Sequence, residues 1–224
     1  MYPYTLPSGI PCELRELTGA EEELLTNGKL LRSGDAVNQL LRNCLVHLGE
    51  KSEVSPQDVL DLLAGDRLFI LVKLRQISLG DEMTLRLACP NANCQGISLL
   101  SVNLADLPVT PYPTEREFTC TLPGSGQVVR FGYLDGHKEK RLAALPEATI
   151  SQGMLIRILD IDGKAPTRKT VTEMSLKDRQ ALRQAMLAVD GGIDTTVDTA
   201  CEHCGQPIRI RVEGDAGFFF PNGR

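Results

Sequence analysis

The chain has 224 residues, a formal net charge of -5, seven cysteines and no tryptophan. With 42% hydrophobic and 24% charged residues it can bury one large core or two small ones, which excludes a disordered or collagen-like polymer. The acidic balance leaves no general footprint for nucleic acid, and aromatic residues at 4% are too few for shelves that stack bases or sugars.

No basic and apolar leader is visible at Met1-Tyr2-Pro3-Tyr4. The longest apolar run, Leu68 to Leu74, is broken by Lys73, so no membrane span is expected and the protein should stay in the cytoplasm where it is made.

Leu6-Pro7-Ser8-Gly9-Ile10-Pro11 reads as a turn-rich lead-in, and Cys12 to Leu17 alternates like a short half-buried strand. Thr18 stands three residues before Glu21, a capping-box spacing for a helix over 19–25 whose glutamates complement the helix dipole. Ser33-Gly34-Asp35 starts a second helix, with Val37, Leu40, Leu41, Cys44, Leu45 and Leu48 on one face. Ser55-Pro56 opens a third helix that runs through Leu63, and Asp66 caps a fourth carrying Leu68, Phe69, Leu71, Val72 and Leu74. These make a mainly helical N-terminal subdomain, residues 1–80.

After Gly80 the period changes to two. Met83, Leu85 and Leu87 lead into Cys89-Pro90-Asn91-Ala92-Asn93-Cys94, answered by Ile97 to Val102, so this cysteine pair tips a hairpin over 81–103. A second hairpin, 116–134, turns at Pro123-Gly124-Ser125-Gly126. Residues 136–190 read as helical, with breaks at Gly153, Gly163 and Pro166; Ser175 caps the clearest part, with Leu176, Leu182, Met186 and Val189 facing the core. A third hairpin, 193–213, carries Cys201-Glu202-His203-Cys204 before Gly205. The expected class is α+β: a helical part followed by an α+β subdomain, 81–224, in which helices are inserted between two cysteine hairpins.

Strand, cysteine pair, strand thus occurs twice. Two short loops that each donate two sulfurs fix the halves of one tetrahedron, so Cys89, Cys94, Cys201 and Cys204 are candidate ligands of a structural Zn²⁺ in a split, zinc-ribbon-like site. The competing readings are four reduced thiols on unrelated turns, and a dithiol redox motif at Cys201 and Cys204, which would need a helix where a glycine turn and a strand follow. His203, inside its loop, is expected to point away from the metal. Cys12, Cys44 and Cys120 sit singly among apolar neighbours and read as small core residues.

No phosphate-binding loop, nucleophile elbow or His-Glu-x-x-His pair occurs. Asp160-Ile161-Asp162-Gly163 lacks the remaining ligands of a calcium loop and reads as a turn, and His137 to Arg141 reads as a solvated helix face. Nothing here points to an enzyme or a small-molecule substrate. Phe218-Phe219-Phe220 near the end is divided between packing on the chain's own core and a docking patch for another subunit.

Several of these features coincide with a known pattern: Leu6-Pro7-Ser8-Gly9, the Glu22 to Leu25 helix followed by Asn27-Gly28, the Gly34-Asp35 helix start, cysteine pairs flanked by strands, and a terminal Phe-Phe. The chain resembles the baseplate hub and tail-assembly protein family of contractile-tailed bacteriophages. That resemblance implies a non-enzymatic part of the baseplate or a helper in its assembly, whose partners are other baseplate or tail subunits. It would be made in the host cytoplasm and reside in the virion tail. The rival is a cytoplasmic zinc-ribbon adaptor or nucleic-acid-binding regulator, for which Lys138, Lys140, Arg141, Arg209 and Arg211 should gather on one face.

Overall fold

The computed structural model describes residues 1–28, 30, 35–145, 147, 149–212 and 216–219. The turn expected after Leu6 forms, with Leu6 N–H bonded to the Ile10 carbonyl, and it joins two strands: β1 (Tyr2–Thr5) pairs antiparallel with β2 (Pro11–Leu14), which pairs with β3 (Leu45–Leu48). Between β2 and β3 lie α1 (Gly19–Thr26) and α2 (Asp35–Cys44). The capping box at Thr18 and Glu21 is present. Glu21 does more than complement the dipole, because it is 1% exposed and accepts two hydrogen bonds from the Arg15 guanidinium at 2.8 and 3.1 Å.

The second helix is shorter than its apolar spacing predicts. It ends at Cys44, and Leu45 and Leu48 bury themselves as strand residues against Leu14 and Cys12 of β2. Both conformations bury these leucines, so the periodicity could not separate them, and pairing with a distant strand decides. The expected start at Ser33-Gly34 lies outside the described residues.

α3 (Pro56–Asp61) is capped by Ser55 as expected: its hydroxyl accepts from Asp58 N–H, and the Asp58 carboxylate accepts from Ser55 N–H. Leu62 ends this helix, and α4 (Ala64–Leu79) is capped by Leu63, not by Asp66. Asp66 sits inside the first turn, fully buried, and accepts a hydrogen bond from Ser8 N–H at 2.9 Å. Burial pushes its carboxyl upward, and the bonds from Ser8 oppose that shift. With Phe69, Ile70, Leu71, Val72 and Leu74 also buried, α4 is enclosed on most sides, as its nearly continuous apolar run dictates.

The cysteine-bearing hairpins are β4 (Glu82–Ala88) with β5 (Ile97–Asn103) and, late in the chain, β11 (Thr196–Ala200) with β12 (Pro207–Arg211). Between them β6 (Val109–Thr110) pairs with β10 (Gly192–Ile193), and β7 (Glu117–Thr121), β8 (Val128–Gly132) and β9 (Ile158–Ile161) form a sheet. Strand β9 stands in a stretch expected to be helical. The helices there are α5 (Gly136–Ala143), α6 (Ile150–Leu155), α7 (Arg168–Glu173) and α8 (Leu176–Val189), and Gly153 lies within α6 instead of breaking it. Ser175 caps α8, with Leu182 and Met186 buried, but Leu176 is 83% exposed. It lies six positions before Leu182, turned roughly 120° away at ~100° per residue. The chain then reaches α9 (Ala216–Phe219).

Among the described residues two hydrophobic clusters result. The first joins the N-terminal sheet and α1 to α4 with Met83, Val102, Leu104, Ile193, Val212, Phe218 and Phe219; Leu85, Leu100, Val197 and Ile210 of the cysteine hairpins pack against it. The second is built by β7, β8, β9 and α6 to α8 around Phe131, Leu122 and Leu182. Packing in the first cluster therefore runs across residue 80.

Candidate metal centre

Each cysteine pair occupies the turn of its hairpin, held there by backbone bonds. In the first, Cys89 N–H donates to the Gly96 carbonyl and Cys94 N–H to the Asn91 carbonyl. In the second, Cys201 N–H donates to the Gln206 carbonyl and Gly205 N–H to the Cys201 carbonyl. Gly205 closes that turn with φ 72, a left-handed conformation that glycine adopts at no steric cost.

These turns bring together four sulfurs from distant parts of the chain, all within 4.8 Å of one another. Cys89 Sγ lies 3.6 Å from Cys204 Sγ, and Cys94 Sγ lies 3.9 Å from Cys201 Sγ. A tetrahedron with zinc–sulfur bonds of ~2.3 Å has sulfur–sulfur edges of ~3.8 Å. The spacing fits one four-sulfur metal ion and is too long for disulfides, consistent with seven free cysteines.

The electrostatics suit a cation. Backbone N–H groups of His203 and Cys204 bond to the Cys201 sulfur and lower its pKa to about 6. Desolvation pushes Cys89 up to about 12. One thiolate therefore forms readily, while further negative charge among clustered sulfurs requires a positive partner. His203 is not among the clustered donors; its ring lies against the opposite hairpin, with Nε2 3.3 Å from the Ile97 carbonyl. Sequence reasoning missed this cross-hairpin contact and the bond from Glu202 N–H to the buried Ser98 hydroxyl at 3.1 Å. Neither has a local signal, because each depends on residues more than a hundred positions apart meeting.

The lone cysteines Cys12 and Cys44 are buried as expected, whereas Cys120 is only half-buried. Phe218 and Phe219 are 2% and 1% exposed in the first cluster, with ring centroids 5.1 Å apart. Both pack on the chain's own core, the first of the two expectations for this segment; Phe220 lies outside the described residues.

The redox motif would need Cys201 at a helix start, and here β11 leads through a turn into β12. The basic residues of the adaptor reading are largely engaged with carboxylates: Lys138 with Asp135, Lys140 with Asp35, and Arg209 through two hydrogen bonds with Asp198. A cleft of about 550 Å³ is bordered by Arg67, Glu139, Arg157 and Asp190, which form the pairs Arg67–Glu139 and Arg157–Asp190. Among the described residues no helix is long and apolar enough to cross a membrane.

A family model described as T4 bacteriophage base plate protein matches residues 1–220. No curated protein and no solved structure matches the chain. The family match runs from β1 through both cysteine hairpins to the end of α9, and so takes in both hydrophobic clusters as well as the four-sulfur site. The chain belongs to the T4 bacteriophage base plate protein family.

Proposed function

We propose that the protein is a non-enzymatic structural or assembly component of the hub or wedge region of a phage tail baseplate. It acts by docking other baseplate or tail subunits, with its own shape held by a Zn²⁺ ion on Cys89, Cys94, Cys201 and Cys204. The family match over residues 1–220 carries the baseplate role, and the four converging sulfurs support the metal.

When bound, zinc would supply folding energy, because four sulfur ligands leave no open coordination position for a substrate or an activated water. The ligand thiolates join positions 107 residues apart at Cys94 and Cys201. Because those ligands come together only when the chain is folded, the ion binds the folded state and its binding free energy becomes folding free energy. The tie also fixes β12, after which the chain returns to the first cluster through Phe218 and Phe219. A docking surface gains from such restriction, since a preordered partner loses less entropy on binding.

The test is localisation. Antibody or tag labelling of purified tails and of baseplate assembly intermediates should place the protein in the hub or wedge region. Its absence from both, with tails assembling normally when its gene is disrupted, would refute the role.

A further inference from the structure

The two cysteine hairpins meet in more than their sulfurs. His203, between the two cysteines of the second pair, lies over Gly96 of the first hairpin so closely that a Cβ on Gly96 would stand 2.3 Å from its Cδ2 and 2.7 Å from its Cγ. Gly96 is not among the glycines with positive φ, so no left-handed backbone calls for glycine there. What its position requires is the absence of a side chain. The same Gly96 carbonyl accepts the Cys89 N–H at 3.0 Å, which couples the notch directly to a ligand. Beside it, the Ser98 hydroxyl accepts from Glu202 N–H, and His203 Nε2 lies 3.3 Å from the Ile97 carbonyl.

We infer that Gly96 and His203 are positioning residues for the metal: the imidazole docks in the glycine notch and holds the two half-sites at bonding distance before the ion arrives. Two loops that each fix half a tetrahedron still have to be registered against each other. Without contacts between the loops, the metal alone would bear that whole cost. The ring-in-notch contact and the Ser98 bond set the register from outside the ligand sphere. Outer-shell contacts of this kind are typically worth ~10–100-fold in metal affinity.

This rests on the zinc reading, and the experiment separates the two. Reduced full-length protein, stripped of metal, is titrated with cobalt(II) in competition with a chelating dye, following the thiolate-to-cobalt absorption. Gly96→Ala should bind ~10–100-fold more weakly with an unchanged four-sulfur spectrum. His203→Ala should weaken binding less, because it removes the contact without adding a clash. The double variant should bind as His203→Ala does, since the added methyl then meets no ring. Equal affinity in wild type and Gly96→Ala, or an undiminished Gly96→Ala defect when His203 is also alanine, overturns the positioning role while leaving the metal site standing. Failure of the wild-type chain to bind cobalt at all overturns both. If Gly96→Ala does not fold, His203→Ala decides alone: unchanged affinity refutes the inference.

Discussion

The second hydrophobic cluster is assembled from residues 118 to 189, whereas the first reaches from Leu6 to Phe219 and includes both cysteine hairpins. A contiguous cluster closes with short loops and needs no help from remote segments. A cluster that must recruit the chain's end bears the entropy of closing a long loop, and that is where a metal tie has the most to offer. The contrast locates the candidate site: the four sulfurs stand where the first cluster captures its latest strands, not where the second is already closed by local packing.

The largest expected effect that sharpens this contrast comes from truncating one buried residue in each cluster. Phe219→Ala should cost about 3–5 kcal/mol, the range for emptying a fully buried aromatic position. Hydrogen exchange should then rise in α4 and the cysteine hairpins while the β7 to β9 sheet stays protected. Leu182→Ala, at about 2–5 kcal/mol, should show the reverse pattern. Uniform loss of protection in both variants would mean the clusters are one cooperative unit and would break the comparison.

A smaller effect concerns Glu21, which belongs to the first cluster's edge. The hydrogen bonds from Arg15 come first in lowering its pKa from 4.5 to about 2, with burial opposing and Thr18 assisting. A carboxyl held below its unfolded value stabilises the fold fully above that value, and the contribution disappears as pH falls from 4.5 towards 2. Urea midpoints for wild type and Glu21→Gln should therefore differ fully above about pH 5 and converge only below about pH 2. A gap that stays constant with pH would show that the carboxylate charge is not what matters.

The same contrast explains what could be read from the residues alone. Local chemistry was legible: the Thr18 and Ser55 caps, the Pro123 to Gly126 turn and both cysteine hairpins rest on neighbours in sequence, and each forms in the structure. What failed depends on distant pairing. Leu45 to Leu48 continues a helical apolar pattern yet becomes β3, because β2 offers it a partner; Ile158 to Ile161 becomes β9 beside β8. Asp66 looks like a cap by residue type, but its carboxylate is taken by Ser8, 58 positions earlier. The four cysteines were visible as a set because their spacing is a local signal in each half, while the His203 and Gly96 contact that registers those halves has none.

The measurement that tests the central claim most directly is the zinc content of freshly purified, fully reduced protein, determined by elemental analysis alongside protein concentration. A structural four-cysteine site predicts about one zinc per chain, lost together with the Cys204→Ser substitution or with chelator at low pH. Less than about half an equivalent of zinc in the wild-type protein, with the first cluster still protected from hydrogen exchange, would contradict the account.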